Sequence, residues 1–329
     1  MPQLQGKIAV FFTGGTIGMN ADTSSGGVVP GGNFSRILAE IETRHPGVTL
    51  QPVHWSDKPS GHMTPQDMFA LALEVDALLA RDEMLGAVIL HGTDVIVETA
   101  FMLDLVLTSN KPVILTGSMR YYSESGYDGL RNLLNSLKTI LLPLPPDMGV
   151  VLLMNDRLFA ARDVIKVNSL NIDAFESSEA GILGYVAGED VVLTHPAGFK
   201  SRRPLPVTRI EPAVPLISCY TGMNGSLVDF SLDNGAKGLV IEGFGAGNVP
   251  PGLVPSLERP LSTNIPVVLA SRCIEGGVWP IYAYEGGAAA LSRKGVILSG
   301  RLGGPKSRIL LMAALGMNLK TKAISILFS

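Results

Sequence analysis

The chain has 329 residues, of which 46% are hydrophobic and 17% charged, so the sequence predicts a folded protein with a large core and enough length for two domains. The net charge of −3 argues against nucleic acid or an anionic membrane surface as the main partner. The two cysteines exclude a disulfide scaffold and form no Cys-x-x-Cys pair, and we expect Cys273 to be a small core residue.

The amino-terminal residues, MPQLQGKIAVFFTGG, contain one lysine and an apolar run that ends quickly at two glycines. This run is too short for a signal peptide, so the sequence predicts a cytoplasmic protein. No apolar stretch reaches the ~18 uninterrupted residues that a membrane span requires, and we therefore expect no contact with a membrane.

Short apolar runs alternate with helical patterns over residues 1–155. The runs are typical of buried parallel strands: Ile8–Phe12, Ala87–Leu90, Val113–Leu115 and Val150–Leu153. The helical patterns begin at the cap Thr64 and continue to residue 78, then occupy Glu98–Leu107 and Leu130–Leu141. This alternation predicts a parallel, doubly wound sheet with helices on both faces.

Residues 195–214, HPAGFKSRRPLPVTRIEPAV, contain four prolines and four basic residues and are typical of a linker. Strand patterns then return and a helical pattern closes the chain: Leu216–Cys219, Leu239–Ile241, Val267–Ala270 and the helix Lys306–Leu315. We therefore predict an α/β protein with a larger amino-terminal domain over residues 1–194 and a smaller α/β domain over residues 215–329.

Three polar turns each follow a predicted strand: TGGT at 13–16, HGTD at 91–94 and TGS at 116–118. Ligands of open α/β sheets bind outside the carboxyl ends of the strands, so these turns predict one shared pocket. Each of the turns places a threonine beside glycine, where the backbone can approach a ligand closely. Of the first two threonines, we expect Thr13 to bond backbone and Thr16 to face the pocket.

Threonine is a weak nucleophile and needs a neighbouring base together with donors for the oxyanion. Asp94 adjoins Thr93, and Lys166, in ARDVIKVNSLNIDAFES, is the candidate that completes a Thr–Lys–Asp relay. No second ligand stands at metal spacing from His62 or His91, and we expect His91 to orient the HGTD turn.

A nucleotide-binding protein is the alternative from another class. TGGTIG resembles a phosphate-binding loop but lacks the GK[ST] of a P-loop. GFGAGN resembles a dinucleotide loop but carries Asn248 where the third glycine belongs. Both motifs therefore disfavour this alternative.

The motifs TGGTIG, HGTD followed by ETA, LTGSMR, DGLRN, ARDVIKVN and DAFES stand here in the order and spacing of the L-asparaginases. The chain resembles that family over nearly its whole length, and GTIGM and GxGNxP bring it nearest to the bacterial cytoplasmic type I enzymes. The resemblance implies a two-domain asparaginase-like α/β fold, assembled as a homodimer or homotetramer. It also implies hydrolysis of L-asparagine to L-aspartate and ammonia, without cofactor, near a subunit interface.

By this resemblance, Thr16 matches the nucleophile. Thr93, Asp94 and Lys166 match the triad of a second threonine, and Asp94 would also pair with the substrate ammonium. The resemblance implies further contacts with the substrate: Ser60 and its neighbour Gly61 at the α-carboxylate, the amides of Gly15 and Thr93 at the carboxylate and the oxyanion, the carbonyl of Ser118 at the leaving amide, and Asn248 approaching the pocket of a neighbouring subunit.

The sequence departs from the family at Gly61 and His62, which replace more usual polar neighbours of Ser60, and at two further positions. Gly27 stands where a lid tyrosine bonds the nucleophile, so either another residue such as Tyr121 or Tyr122 replaces it or the activity is weak or altered. Glu242 falls near the type I allosteric arginine, which puts feedback by asparagine in question. The alternatives are therefore an amidase for another small amide, such as glutamine, and a weakly active or regulatory asparaginase-like protein.

Overall fold

The computed structural model describes residues 6–22, 27–30, 43, 49–145, 148–177, 179–194 and 204–328. The chain divides into two compact units, Met1–Pro204 and Leu205–Ser329. This division falls inside the segment that the sequence predicts as a linker. The exact domain bounds, 1–194 and 215–329, stay predictions.

The described part of the first unit contains the following strands: β1 (Lys7–Phe12), β2 (Met19–Asp22), β3 (Gly27–Pro30), β4 (Thr49–His54), β5 (Met84–Leu90), β6 (Val113–Thr116), β7 (Val150–Met154), β8 (Arg157–Ala160), β9 (Val164–Lys166), β10 (Phe175–Ser177), β11 (Gly184–Ala187) and β12 (Asp190–Leu193). Its described helices are α1 (Pro65–Leu79), α2 (Ile96–Val106) and α3 (Gly129–Ile140).

Eight of these strands form one sheet in the order β12-β11-β8-β7-β6-β5-β1-β4. The five strands from β7 to β4 are parallel, as predicted, and all four predicted strands of this unit are present. The strands β8, β11 and β12 extend the sheet in antiparallel pairing, so the sheet is mixed rather than wholly parallel.

The central strands are buried on both faces, which explains their continuous apolar runs. One face packs against the leucines of α3 around Ile8, Val10 and Val88, and α1 and α2 pack against each other and against the sheet. The predicted start of α1 is confirmed, since Thr64 accepts a hydrogen bond from the amide of Asp67 at 3.1 Å and forms a capping box with it.

The described second unit contains a parallel four-stranded sheet of β13 (Leu216–Ser218), β14 (Leu239–Gly243), β15 (Val267–Ser271) and β16 (Ile297–Leu298). Its helices are α4 (Ser226–Asp233), α5 (Val254–Ser262), α6 (Ala288–Arg293), α7 (Gly304–Gly316) and α8 (Thr321–Leu327). The predicted strands and the helix α7 are confirmed. The sequence prediction did not include the last helix, α8. Cys219 is buried, whereas Cys273 is exposed, so the expectation of a core position for Cys273 was wrong.

The segment after the TGGT turn begins with the antiparallel strands β2 and β3, in which Asp22 pairs with Gly27. Residues 23–26 and 31–34 of the lid stretch lie outside the described residues. Among the helices that the structure describes, none is long and apolar enough to cross a membrane.

Candidate active site

The three polar turns converge at the carboxyl ends of the neighbouring strands β1, β5 and β6. Their backbones touch: a Cβ added to Gly15 would overlap the backbone of Gly92, and one added to Gly117 would overlap the carbonyl of His91. Glycine is therefore required at the contacts, and the turns form one continuous polar surface.

The two threonines of the TGGT turn lie in different environments, Thr13 buried and Thr16 partly exposed. Gly14 and Gly15 have φ angles of 95° and 91°, a conformation that side chains resist. The Thr13 hydroxyl donates to the carbonyl of Leu90 at 2.9 Å, which confirms the expectation that it bonds backbone. Thr16 begins a 3₁₀ turn and remains partly exposed.

Lys166 brings an amine to the HGTD turn from the end of β9. Its Nζ donates to the Thr93 hydroxyl at 2.9 Å and lies 3.4 Å from Oδ1 of Asp94. The lysine side chain is 16% exposed and the Asp94 side chain is 74% exposed, so the amine is sheltered while the carboxylate faces solvent. Pairing of Lys166 with Phe175 of β10 fixes the backbone that carries the amine.

Ser60 joins the same cluster from a 3₁₀ turn over Ser60–His62. It is 4% exposed, and its hydroxyl oxygen accepts from the amide of Asp94 at 3.2 Å. A Cβ on Gly92 would lie 2.6 Å from this oxygen, so the two turns are packed closely. The neighbouring Gly61 is exposed, with open space where a side chain would project.

The third turn is held by side chains that the sequence analysis did not single out. Asn132, in the first turns of α3, donates to the carbonyl of Gly117 at 3.0 Å and to Asp128 at 3.1 Å. Ser118 is fully buried, and its hydroxyl has no hydrogen-bond partner among the described residues. The motif DGLRN contains both holding residues and was the available signal.

His91 is buried beneath the HGTD turn. Its Nδ1 lies 2.7 Å from the carbonyl of Gly92, and its Nε2 lies 3.1 Å from the hydroxyl of Thr99. Burial lowers the pKa of His91 to about 4, so the ring is neutral at neutral pH. These bonds confirm the expectation that His91 orients the turn, and within the described ranges no three potential ligands are grouped to hold a metal ion.

The pKa of His91 predicts a pH-dependent stability. Because the native pKa lies below the ordinary value of 6.5, the unfolded chain alone binds a proton as the pH falls from 6.5 towards 4. This proton should lower the free energy of unfolding by an amount on the order of 2 kcal/mol at pH 5. Melting temperatures of wild type and His91→Gln between pH 7 and pH 5 test this, and equal slopes for the two proteins would contradict it.

Asn248 lies in the second unit, at the end of a tight loop closed by an isolated pairing with Phe244. Its side-chain Oδ1 is buried and has no hydrogen-bond partner in the part of the chain that the structure describes. The approach of Asn248 to a neighbouring pocket stays a prediction.

Comparison with known proteins agrees with this architecture. The family model "Asparaginase, N-terminal" matches residues 7–198, and "Glutaminase/Asparaginase C-terminal domain" matches residues 213–328. An L-asparaginase of Bacillus licheniformis is 32% identical over 94% of this chain and 95% of its own length. A probable L-asparaginase of Deinococcus radiodurans is 33% identical over 100% of this chain and 99% of its own.

A solved structure, that of a probable cytoplasmic L-asparaginase from Campylobacter jejuni, superimposes with a TM-score of 0.89 at 29% identity. The match covers 98% of this chain and 99% of that one. The fold is α/β, with a cluster of threonine, lysine and aspartate side chains beside the carboxyl ends of its strands. The two family models together span most of the chain, which belongs to the asparaginase family.

Proposed function

We propose that the protein hydrolyses L-asparagine to L-aspartate and ammonia, with Thr16 as the nucleophile. The observation that carries the proposal is the position of the Lys166 amine, 2.9 Å from the Thr93 hydroxyl and 3.4 Å from the Asp94 carboxylate. The turn that bears this cluster touches the backbone of Gly15, immediately before Thr16. The relatives named L-asparaginase support the choice of substrate.

In the proposed reaction, Oγ1 of Thr16 attacks the side-chain amide carbon of the substrate. The amides of Gly15 and Thr93 donate to the substrate carboxylate and the developing oxyanion, and the carbonyl of Ser118 accepts from the leaving nitrogen. The proton of Thr16 passes to that nitrogen, ammonia departs, and an ester to Thr16 remains. Water then cleaves the ester and releases aspartate, while the relay of Thr93, Lys166 and Asp94 supplies the proton acceptor.

The substrate is held at its α-carbon by opposite charges and a hydroxyl. The exposed carboxylate of Asp94 pairs with the α-ammonium. The Ser60 hydroxyl already accepts from the amide of Asp94, so its own proton is available for the α-carboxylate. The exposed backbone at Gly61 adjoins the same end of the substrate.

Asp94→Asn should raise KM and lower kcat together, because one carboxylate serves both the substrate ammonium and the relay. Asp82→Asn, which removes a negative charge from an exposed turn, is the matched control and should leave both constants within about twofold. Steady-state kinetics on asparagine separate the two roles. A change in kcat alone would show that Asp94 does not contact the ammonium.

Ammonia release from L-asparagine, L-glutamine and neutral amides tests the proposed function directly. Glutamine hydrolysis is the second candidate, since the carboxyl-terminal family model covers glutaminases and asparaginases together. A preference for glutamine would replace the proposed substrate. Absence of ammonia from all of them would favour the weakly active or regulatory alternative, to which Gly27 in place of the lid tyrosine points.

We further propose a cytoplasmic location and a homodimeric or homotetrameric assembly. The name of the Campylobacter jejuni protein supports the location. The assembly is supported by an aromatic patch in the second unit, formed by Trp279, Ile281, Tyr282 and Tyr284, which are 47%, 63%, 43% and 56% exposed. Apolar patches of this kind mark protein–protein contacts, and the amide of Trp279 bonds the loop that precedes Asn248. A second copy would cover the patch.

Ile281→Asp should therefore dissociate the assembly and lower activity, because it places a charge in an apolar contact. Ile326→Asp is the matched control, since Ile326 is 66% exposed on α8, outside the aromatic patch. Light scattering of both variants and of wild type at micromolar and nanomolar concentration gives the result. A fully active monomeric wild type would exclude a site shared between subunits.

A further inference from the structure

Tyr127 connects the segment before α3 to the turn that carries Thr16. Its hydroxyl donates a hydrogen bond to the carbonyl oxygen of Ile17 at 2.9 Å, across 110 positions of sequence. Ile17 follows Thr16 directly and is fully buried. The bond therefore restrains the backbone one residue beyond the proposed nucleophile.

The Tyr127 side chain is closely packed between neighbouring residues. A Cβ added to Gly129 would overlap the Tyr127 hydroxyl and would lie 2.8 Å from Cγ1 of Ile17. The ring of Tyr122 meets that of Tyr127 edge to face, with centroids 5.3 Å apart at 69°. Glycine at 129 thus allows the tyrosine to reach the turn, and a second ring fixes its direction.

The Tyr127 hydroxyl remains a donor over the whole working pH range. Burial, the neighbouring charge of Asp128 and Tyr122 raise its pKa far above the ordinary value. The group therefore stays protonated, and its hydrogen bond to a carbonyl, which accepts only, persists at alkaline pH.

The residues that follow Tyr127 hold the third polar turn. Asp128 accepts from the amides of Met119 and Arg120 at 3.1 and 3.0 Å. Asn132 donates to the carbonyl of Gly117. One short segment therefore ties the turn of Thr16 and the turn of Gly117 to the start of α3, and it fixes the distance between them.

We propose that Tyr127 is a positioning residue, which holds the turn of Thr16 in the geometry required for attack by its bond to the Ile17 carbonyl. This inference rests on the proposed function of Thr16 as the nucleophile. Gly14 and Gly15 precede Thr16 in left-handed conformations and are held by close backbone contacts, and the Tyr127 bond adds an anchor on the other side of the residue. Tyr127 thus supplies a restraint on the nucleophile from outside the lid stretch in which Gly27 stands.

Tyr127→Phe should lower kcat about 5- to 10-fold with KM nearly unchanged, because one hydrogen bond to the turn is lost while Ser60 and Asp94 keep the substrate. Tyr185→Phe, which removes a hydroxyl from the exposed strand β11, is the matched control and should match wild type. Labelling of Thr16 by an asparagine analogue with a diazomethyl ketone in place of the amide, located by mass spectrometry, should slow by the same factor as kcat.

Gly129→Ala is the second variant, since its methyl group displaces the Tyr127 hydroxyl while the tyrosine remains. It should reproduce the loss of kcat. Wild-type kcat and labelling rate in a folded Tyr127→Phe, or a rise in KM alone, would overturn the inference. Failure of the proposed function would be seen in a different variant, Thr16→Ala, which would then retain turnover. Failure of the Tyr127 inference can therefore be distinguished from failure of the proposed function.

Discussion

Thr16→Ala is expected to lower kcat by ~10³-fold or more while the melting temperature stays near that of wild type. Thr16 is itself partly exposed, so the substitution falls outside the buried core. Steady-state ammonia release and thermal melting measure the two effects separately. A variant that keeps a tenth of the wild-type rate would show that Thr16 is not the nucleophile.

Thr13→Ala is the matched control three residues earlier. Thr13 is 2% exposed, and its hydroxyl donates to the carbonyl of Leu90, so its loss should lower the melting temperature by removing a buried hydrogen bond. Its kcat should stay within about tenfold of wild type, since the hydroxyl faces backbone and not the pocket. The pair therefore separates a hydroxyl that supports the fold from one that reacts.

Lys166→Met should also abolish turnover, because it leaves the Thr93 hydroxyl without its 2.9 Å partner and Asp94 without its cation. Lys166→Arg should fail as well. A guanidinium keeps the positive charge but does not release a proton, so it replaces the charge and not the proton transfer. An active arginine variant would restrict the role of Lys166 to electrostatics.

Lys138→Met is the matched control for these variants. The Lys138 side chain is 19% exposed, close to the value for Lys166, and it forms an ion pair with the exposed Glu189. Surface ion pairs contribute little to stability, so this variant should retain wild-type kinetics. Near-normal activity of Lys166→Met across the pH range would refute the triad.

The central strands were predictable from the sequence because burial on both faces leaves a continuous apolar run, as in Ile8–Phe12. The antiparallel strands β11 and β12 were not, since only every second residue is buried in β11 and none is in β12. The helix α8 was missed for the same reason: it is seven residues long and buries only Ile324. Short elements that gain their stability from tertiary contacts carry weak local signals.

The site likewise has some features that the sequence predicts and others that it does not. The glycine and threonine turns could be placed from the sequence because each directly follows a continuous apolar strand run. The contact of Lys166 with Thr93 joins residues 73 positions apart, so the sequence offered the lysine as a candidate and the family resemblance strengthened the choice, but the contact itself came from the fold. Tyr127 belongs to no motif, and a tyrosine in a polar loop has the pattern of a surface residue. Its hydrogen bond to Ile17 could therefore be found only from the three-dimensional structure.

The close packing around the glycines of the polar turns limits how this enzyme can evolve. Gly14, Gly15, Gly92 and Gly117 accept no Cβ without displacing a neighbouring turn, so a saturation library should find them as intolerant as Thr16 although they carry no reactive group. Gly61 differs, since nothing lies within 4 Å of the side chain it would bear. In selection for a larger or differently charged amide, Gly61 is therefore a position beside the site at which added side chains have room.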